Sequence, residues 1–399
     1  MEKTQDPNQT RLWTIPFLMV ILLNLFNGCA AQMSYPLVAK FTLSLGADLG
    51  TASTTAGLMS LAALFVCPFA GLLSDLFPRR RILQISFILY SVSLILHMFV
   101  KTVPFLMALR LLTGIFFSIN SVTAMAFSTG FIPKARLGEG LGYASLANVL
   151  AQAIGPGIGL ALAEKFGFGS SFLLAGLCAV ASLVMITLFP KGNEPLPTAQ
   201  ERKKIRLENL FAPEMLAFML VTVLFSWGSS WLATYLAIIG DERQITGIAL
   251  FFTVYSLAMV VLRPFTGRLF DRKGVYMLLI PALAFAAIGM WLIGISMTLT
   301  LILVASIFMA VGQGCAVPSI QAHALNRLGR ERAGVAVSTI QIGQNVGNAF
   351  GPMLGGVLVV PLGYKTMFIV FAVVLFALGL LLTLVQYLSE KRKNQKASA

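Results

Sequence analysis

The stretch that decides the fold reads PFAGLLSD at Pro68–Asp75, and it returns as PFTGRLFD at Pro264–Asp271, an offset of 196 residues. Apolar residues coincide readily in an apolar chain, but Gly, Pro, Asp and Arg at one fixed offset do not. The same offset, without a gap, pairs further residues of the two halves: Arg136 with Arg332, Gly138 with Gly334, Gly155-Pro156 with Gly351-Pro352, and Gly159 with Gly355. The sequence therefore predicts two tandem repeats.

The composition places both repeats in a membrane. The 399 residues are 57% hydrophobic and 11% charged, with a mean hydropathy of +0.85, which leaves too little polar surface for a water-soluble globule. Unbroken apolar runs of about 20 residues are typical of membrane-spanning helices rather than of β-barrel strands. Twelve spans are predicted, near residues 13–37, 52–75, 82–100, 103–127, 137–163, 169–190, 213–238, 247–270, 276–296, 299–321, 333–359 and 366–388.

The number of spans fixes the relation between the repeats. Six spans is an even number, so each repeat begins and ends on the same side of the membrane and the two run parallel. We therefore predict an all-α membrane protein of twelve transmembrane helices in two six-helix bundles, residues 1–190 and residues 212–399. Residues 191–211 contain the cluster Arg202-Lys203-Lys204 and are predicted to form a cytoplasmic linker, because they are too polar for the bilayer.

The positive charges predict the orientation. The net charge is +14, from 29 Lys and Arg against 15 Asp and Glu. With the N-terminus inside, 22 of the 29 basic residues fall in cytoplasmic segments or helix ends, and five fall outside: Lys40, Lys101, Lys165, Arg243 and Lys365. This asymmetry predicts a multi-pass protein of the cell membrane with both termini in the cytoplasm. It also accounts for the basic excess without a nucleic-acid partner, which would need a soluble basic face.

Several other classes of protein are disfavoured. The chain has no Gly-x-Ser-x-Gly, no His-Glu-x-x-His and no phosphate-binding P-loop, and its four cysteines share no close spacing. We therefore expect neither an enzyme nor a bound metal or cofactor, and we expect a monomer in the lipid bilayer. The two histidines, His97 and His323, could in principle carry protons, but they lie near predicted span ends, where interfacial histidines are ordinary.

A loop signature ends each copy of the opening stretch. The pattern is Gly-x-x-x-Asp-Arg-x-Gly-Arg-Arg, and in the first copy Leu76 and Pro78 replace its Arg and its second Gly. The residues that fit are Gly71, Asp75, Arg79, Arg80 and Arg81 in the first copy, and Gly267, Asp271, Arg272 and Gly274 in the second. In these residues the chain resembles the major facilitator superfamily of transporters, and the resemblance covers essentially the whole sequence.

The resemblance implies a gating role for these loops, in which they latch the cytoplasmic side across the two bundles in the outward-open state. A carboxylate one turn beyond a small Gly can accept hydrogen bonds from backbone N–H groups at the start of a neighbouring helix and can pair with loop arginines. The residues assigned to gating are Gly71, Asp75, Arg79, Arg80, Gly267, Asp271 and Arg272. The alternative is that the basic residues only hold the loops inside.

A second signature concerns the fifth and eleventh spans. The family pattern Gly-x-x-x-Gly-Pro-x-x-Gly-Gly, which marks exporters and antiporters, is complete in the eleventh span from Gly347 to Gly356 and partial in the fifth. Small residues at this spacing allow close helix contact, and proline removes a backbone hydrogen bond. We therefore predict helix hinges at Gly155-Pro156 and at Gly351-Pro352, although tight packing alone would explain the pattern equally well.

The resemblance also implies that the first, fourth, seventh and tenth spans line the central cavity, with the eleventh beside it. Polar residues that share one side of such helices should face protein or water rather than lipid. The predicted substrate-binding residues are Asn24, Asn27, Tyr35, Arg110, Phe117, Trp227, Ser230, Trp231, Gln313, Gln341, Gln344 and Asn345. Two alternatives stay open: the amides serve only as interhelical hydrogen bonds, and the tryptophans serve only in packing or in an outer aromatic belt.

Arg110 is the most informative of these residues, because it lies about two turns into the fourth span, away from the basic loops. With Gly114 it fits a fourth-helix Arg-x-x-x-Gly pattern that the resemblance links to proton coupling or substrate binding. The alternative is a structural arginine held by backbone carbonyls or by Asn24 and Asn27. All 15 acidic residues fall at span ends or in loops, so strongly cationic substrates are not expected.

These observations lead to one expectation about function. We expect a secondary active transporter that works by alternating access and exports a small neutral, amphipathic or anionic solute, with protons as the candidate coupling ion. The alternative is an uptake symporter or facilitator for an organic acid or another polar metabolite.

Overall fold

The computed structural model describes residues 12–133, 137–189, 212–328 and 333–397, and within these ranges all the regular secondary structure is helical. Two short 3₁₀ segments, His97–Phe99 and Pro213–Met215, adjoin longer helices. The α-helices of the described part are α1 (Ile15–Ser44), α2 (Leu49–Leu76), α3 (Arg79–Leu96), α4 (Val103–Thr129), α5 (Leu137–Phe166), α6 (Phe168–Thr187), α7 (Leu216–Glu242), α8 (Leu250–Ile295), α9 (Leu299–Leu328) and α10 (Ala333–Ala397).

The two longest helices are each interrupted by a glycine. Gly274 in α8 has a φ angle of 74°, and Gly363 in α10 has a φ angle of 67°. Glycine adopts this left-handed conformation without a steric penalty, whereas a side chain would be strained there. The breaks divide α8 and α10 into segments that correspond to the predicted spans eight and nine, and eleven and twelve.

The helices are apolar enough to cross a membrane. In the described residues, 10 helices have the length and composition of a span, and Leu250–Leu262 is a shorter apolar helix. Large apolar side chains such as Phe65, Leu257 and Val360 are well exposed on the outside of the protein. Since such surfaces are stable in contact with acyl chains but not with water, the fold is that of an all-α, multi-pass membrane protein. The exact count of twelve spans stays a prediction.

The described residues form two compact units. The first contains residues 12–37, 65–133 and 137–189; the second contains residues 38–64, 212–328 and 333–397. The end of α1 and the start of α2 therefore belong to the second unit. The division of the chain at residues 190 and 212 follows the sequence repeat and stays a prediction.

In the first unit, α1 and α5 cross at glycines. A Cβ atom added at Gly155 would lie 2.8 Å from Cβ of Gln32, and one added at Gly159 would lie 2.8 Å from the Met33 carbonyl oxygen. The absence of side chains therefore lets the two backbones approach closely. The main core of this unit lies beside this crossing, with buried residues such as Phe87.

In the second unit, the turn between α1 and α2 is fixed by polar contacts. The Asp48 carboxylate precedes α2 and accepts hydrogen bonds from the Thr51 backbone N–H at 3.1 Å and from the Thr51 hydroxyl at 2.6 Å. These bonds lower the pKa of the Asp48 carboxyl below its usual value. Lys40 at the end of α1 forms an ion pair with Asp241 at the end of α7, with 2.7 Å between Nζ and Oδ2.

Candidate functional site

Arg110 lies at the centre of a buried cluster in the first unit. It occupies the second turn of α4, and its side chain is 0% exposed. Its guanidinium carbon is 6.0 Å from the centre of the Tyr35 ring, which belongs to α1 and is half-buried. This is a cation–π contact, which is stronger when both groups are removed from water. The structure therefore brings together Tyr35 and Arg110, two of the predicted substrate-binding residues.

Helix α3 and the residue that follows it contribute buried polar groups to this part of the first unit. Tyr90 of α3 and His97, which directly follows α3, are both fully buried. Thr113, one turn after Arg110, has its hydroxyl oxygen 2.6 Å from the Leu109 carbonyl oxygen and 3.3 Å from the Ser93 hydroxyl. The cluster therefore combines one cation with aromatic and hydroxyl groups from three helices.

The sequence identified His97 as a residue that could carry a proton, but it did not reveal that this side chain is buried. We expected an ordinary interfacial histidine, and the structure instead buries it against Phe172 of α6, with ring centres 4.8 Å apart. Arg110 and His97 are 13 positions apart and belong to different helices, so no spacing rule within one helix connects them.

The remaining predicted residues of α1 and α4 are Asn24, Asn27 and Phe117, of which Phe117 lies beside Tyr90. Asn24 donates hydrogen bonds from Nδ2 to the Val20 carbonyl oxygen at 2.8 Å and to the Ser128 hydroxyl at 3.2 Å. Asn27 is buried, and its side-chain oxygen has no hydrogen-bond partner among the described residues. Phe117 is half-buried, with its ring 6.1 Å from that of Tyr90. Asn24 thus ties α1 to the end of α4 remote from Arg110.

In the second unit, the aromatic residues of α7 face the Gly-Pro segment of α10. Trp231 is 1% exposed, and its indole N–H donates to the Gly351 carbonyl oxygen at 2.7 Å. The Tyr235 hydroxyl lies 2.7 Å from the Pro352 carbonyl oxygen and 2.9 Å from the Ser53 hydroxyl of α2. The structure therefore places Trp231 in a helix–helix contact, which is the alternative that the sequence left open for it.

Glycines make this contact possible. A Cβ atom added at Gly347 would lie 2.5 Å from the Val223 carbonyl oxygen, and one at Gly355 would lie 2.6 Å from the Trp231 indole nitrogen. The glycines that fit the exporter signature thus form the surface on which the α7 side chains rest. The predicted hinge at Gly351-Pro352 lies within this contact, and bending there stays a prediction.

The other predicted residues of the second unit are also hydrogen-bonded or partly exposed. Gln313 of α9 accepts from the Tyr255 hydroxyl at 2.6 Å and donates to the Phe225 carbonyl oxygen at 3.2 Å, so it links α7, α8 and α9. The Ser230 hydroxyl donates to the Trp227 carbonyl oxygen at 2.8 Å. The amide side chains of α10 are more exposed than Gln313 and Ser230. Gln341 is exposed, and Gln344 and Asn345 are half-buried.

The gating residues are only partly described. Arg79 donates to the Ala126 carbonyl oxygen at 3.0 Å, and Arg80 donates to the Thr187 carbonyl oxygen at 2.8 Å, so both hold the start of α3 within the first unit. A Cβ atom added at Gly71 would meet no described atom within 4 Å, and the gating role of Gly71 stays a prediction. Arg272 is exposed. Gly267 and the side chains of Asp75 and Asp271 lie outside the described residues.

The acidic residues lie at the ends of the described helices, as their positions in the sequence predicted. Each lies within a few residues of a helix end, of an interhelical turn, of the break at Gly274 or of the end of the apolar span Ser338–Lys391: Asp48, Asp75, Glu139, Glu164, Glu214, Asp241, Glu242, Asp271 and Glu390. By position in the chain, Arg110 therefore lies further from a helix end, a break or the end of a span than the acidic residues of the described segments.

The sequence of the chain matches a known family. The Major Facilitator Superfamily model matches residues 20–241 and 216–399. Multidrug resistance protein 1 of Bacillus subtilis (strain 168) is 28% identical over 384 residues, which are 92% of this chain and 95% of that protein. Multi-drug resistance efflux pump PmrA of Streptococcus pneumoniae serotype 4 is 26% identical over 363 residues, which are 86% of this chain and 89% of that protein.

The fold also resembles a solved structure. A crystal structure of a POT family transporter in complex with a thioalcohol-conjugated peptide has a TM-score of 0.80 with 14% sequence identity, and the likeness covers 94% of this chain and 96% of that one. At this identity the likeness concerns the fold alone. Because the family model matches both repeats and nearly the whole length, the chain belongs to the Major Facilitator Superfamily of membrane transporters.

Proposed function

We propose that this transporter exports a small neutral, amphipathic or anionic solute by alternating access, and that an acidic group of the solute binds at Arg110. A membrane transporter of this family acts on small molecules. The finer statement depends on the chemistry of the first unit. We also propose that the chain works as a monomer in the cell membrane with both termini in the cytoplasm, since the distribution of basic residues supports this orientation.

The buried guanidinium of Arg110 is the observation that carries the proposal. An arginine in a low-dielectric interior costs free energy unless its charge is compensated. The guanidinium carbon of Arg110 lies 6.0 Å from the centre of the Tyr35 ring, and the acidic residues of the described segments lie near helix ends. A carboxylate of the solute would neutralise the guanidinium and pair with it through two parallel hydrogen bonds. The same positive charge would repel an organic cation.

The direction of transport is supported by two observations. The first segment of α10 carries the complete exporter signature, and in the structure its glycines form the contact with α7. The two relatives described above are named as multidrug resistance proteins, one of them as an efflux pump. Both observations favour export.

An uptake symporter for an organic acid is the second candidate. The specific observation in its favour is His97, because this protonatable side chain is fully buried in the same unit as Arg110. A proton and an acid that bind together would move together, and the direction would then follow the sum of their two gradients.

Binding of matched compounds tests the proposal. Salicylate is an aromatic carboxylate and salicylamide is its neutral counterpart, and stabilisation of the purified chain against heat reports the binding of each. We expect salicylate to bind more tightly than salicylamide. Arg110→Gln should weaken salicylate binding by at least about tenfold, because a hydrogen bond to a charged group contributes about 1.5–3 kcal/mol.

Arg110→Lys is the matched control. It keeps the positive charge but lacks the planar guanidinium that forms two parallel hydrogen bonds with a carboxylate. We expect it to bind salicylate with intermediate affinity. Equal affinities of the original chain for salicylate and salicylamide, or a preference for benzylamine, would contradict the proposal.

A further inference from the structure

The second unit holds a cavity that the proposed function does not use. It lies where the segment leading into α7, the end of α9 and the end of α10 meet, on the side that the basic residues predict to be cytoplasmic. Its volume is about 730 Å³, within the range of about 300–1,000 Å³ that is usual for small-molecule sites. The acidic residues Glu214 and Glu390 and the basic residue Arg327 line it together with the apolar residues Leu216 and Val385. The cavity therefore offers both signs of charge beside an apolar surface.

Glu390 is held in place by the protein. Its Oε1 accepts a hydrogen bond from the Gln386 side-chain amide at 2.9 Å and lies 3.1 Å from Nε2 of His323. The same Gln386 nitrogen donates to the Glu214 backbone oxygen at 3.0 Å. These contacts join α9, α10 and the segment before α7 around the carboxylate. Since its orientation is set by neighbouring groups, Glu390 is prepared to bind a donor from the cavity.

The first repeat has packed aromatic rings at the equivalent positions. Three pairs of positions correspond at the repeat offset: Phe127 with His323, Phe131 with Arg327, and Phe189 with Val385. The rings of Phe131 and Phe189 have centres 4.7 Å apart, and both also contact the Phe127 ring. Arginine and histidine are less suited than phenylalanine to filling a packed interior. The polar lining is therefore particular to the second repeat and is not required by the fold.

The helices that carry these residues confirm the correspondence. Helix α4 begins at Val103 and α9 begins at Leu299, which are separated by the repeat offset. Gly167 before α6 and Gly363 within α10 are separated by the same offset, and both have positive φ angles, of 83° and 67°. The two sets of positions therefore lie at the same places along equivalent helices.

An apolar surface leads away from the cavity. The apolar span Ser338–Lys391 ends next to Glu390. Leu216 and Val385 line the cavity and are 44% and 51% exposed, and Leu388 of α10 is also exposed. Such side chains are stable against acyl chains rather than against water. The charged part of the cavity thus lies where the hydrocarbon region of the bilayer is expected to meet the cytoplasm.

These features fit the headgroup of one class of membrane lipid. We propose that the cavity binds a zwitterionic phospholipid with a primary ammonium group, which lies at Glu390, while its phosphate lies at Arg327 and its acyl chains follow Leu216 and Val385. This site is separate from the solute site at Arg110. A guanidinium suits a phosphate because it can form two parallel hydrogen bonds. Arg327 also has other contacts in the protein, which the phosphate would join rather than replace.

The charges of the lining select among lipids. A primary ammonium donates three hydrogen bonds, whereas the quaternary ammonium of a choline headgroup has no N–H to donate. Two acidic residues, Glu214 and Glu390, face one basic residue, so a headgroup with a net negative charge is disfavoured. The lining therefore favours an ethanolamine headgroup over choline, glycerol and serine headgroups.

Native mass spectrometry of the purified full-length chain tests the proposal. The probes are phosphatidylethanolamine and phosphatidylcholine with identical acyl chains, which differ only in the methyl groups on nitrogen. We expect the original chain to bind the first lipid at least about tenfold more tightly, because hydrogen bonds between charged groups are lost with the second. Glu390→Gln should remove this preference. Glu164→Gln, an exposed carboxylate at the end of α5, is the matched control and should keep it.

A second variant keeps the test valid if Glu390→Gln lowers stability through its contacts with His323 and Gln386. Arg327→Phe combined with Val385→Phe places in the second repeat the two rings that pack together in the first. We expect this variant to keep its thermal unfolding midpoint in lipid-free detergent and to lose the preference for phosphatidylethanolamine.

Three results would overturn the proposal. Equal affinities of the original chain for the two lipids would show that the ammonium is not recognised. A preference that survives both Glu390→Gln and the double variant would place the lipid elsewhere. If glycerophosphoethanolamine, which has the headgroup but no acyl chains, binds as tightly as phosphatidylethanolamine, the cavity takes a soluble phosphate compound and a lipid is the wrong occupant.

Discussion

At the residue scale, single side chains are assigned by what they contact rather than by their chemical type. Arg110 and Trp231 were both predicted to bind solute, and both are buried. Trp231 uses its indole N–H on the Gly351 carbonyl oxygen and rests on glycines of α10, so its polar atom is satisfied within the protein. Arg110 is buried in the first unit, where the Tyr90 hydroxyl and Nε2 of His97 have no hydrogen-bond partner among the described residues. This difference favours packing for the first and solute binding for the second.

Trp231→Phe tests the packing role. Phenylalanine keeps the aromatic contacts but has no N–H group, so we expect a loss of about 1 kcal/mol in stability and unchanged binding of salicylate. The thermal unfolding midpoint and salicylate affinity of the purified chain measure the two effects. Trp291→Phe is the matched control, because Trp291 is 46% exposed and should tolerate the change. Normal stability with lost binding would instead assign Trp231 to the solute site.

The sequence predicted some of these residues and missed others for a physical reason. Arg110 was identified because a charge in an apolar span is visible in the sequence alone. The burial of His97 was not predicted, because it depends on the packing of α3 against α4 and α6, and the register between helices is not encoded in the period of any one of them.

At the element scale, glycines explain how the helices meet and where they end. Gly274 and Gly363 interrupt helices that an apolar pattern alone would continue, because their φ angles are positive. The repeat predicted that the glycine-rich segment of α5 recurs in α10. The structure shows that the segment in α10 contacts α7. Composition could not show this partner, since small residues pack against any helix that approaches.

Gly347→Ala tests the contact of α7 with α10. The added Cβ would lie 2.5 Å from the Val223 backbone oxygen, which cannot move without separating the helices. We expect a destabilisation of about 1–3 kcal/mol, seen as a lower thermal unfolding midpoint. The matched control is Gly314→Ala in α9, where the nearest atom would be 3.6 Å away, in ordinary van der Waals contact.

The control substitution is also expected to affect stability, because alanine is more favourable than glycine inside a helix by about 1 kcal/mol. Gly314→Ala should leave stability unchanged or raise it. A similar loss of stability from both substitutions would contradict the view that α7 and α10 meet through their glycines.

At the scale of the whole molecule, the repeated loop signature predicts that transport depends on the cytoplasmic loops. Asp75→Asn removes the charge that the family resemblance assigns to gating and keeps the size of the side chain. We expect it to reduce salicylate flux in membrane vesicles much more than it reduces the amount of protein in the membrane. Glu164→Gln, an exposed carboxylate at the end of α5, is the matched control and should leave both quantities unchanged. Equal losses of flux and abundance for Asp75→Asn would favour a role in membrane orientation alone.

The central claim is that the chain carries a solute with an acidic group through a site at Arg110, and counterflow in proteoliposomes tests it most directly. Labelled salicylate outside vesicles that hold unlabelled salicylate should accumulate transiently and saturably with the original chain, as alternating access requires. Arg110→Gln at equal reconstitution should abolish the accumulation, and salicylamide inside the vesicles should not support it. Unsaturable flux, equal accumulation with Arg110→Gln, or counterflow confined to organic cations would contradict the account.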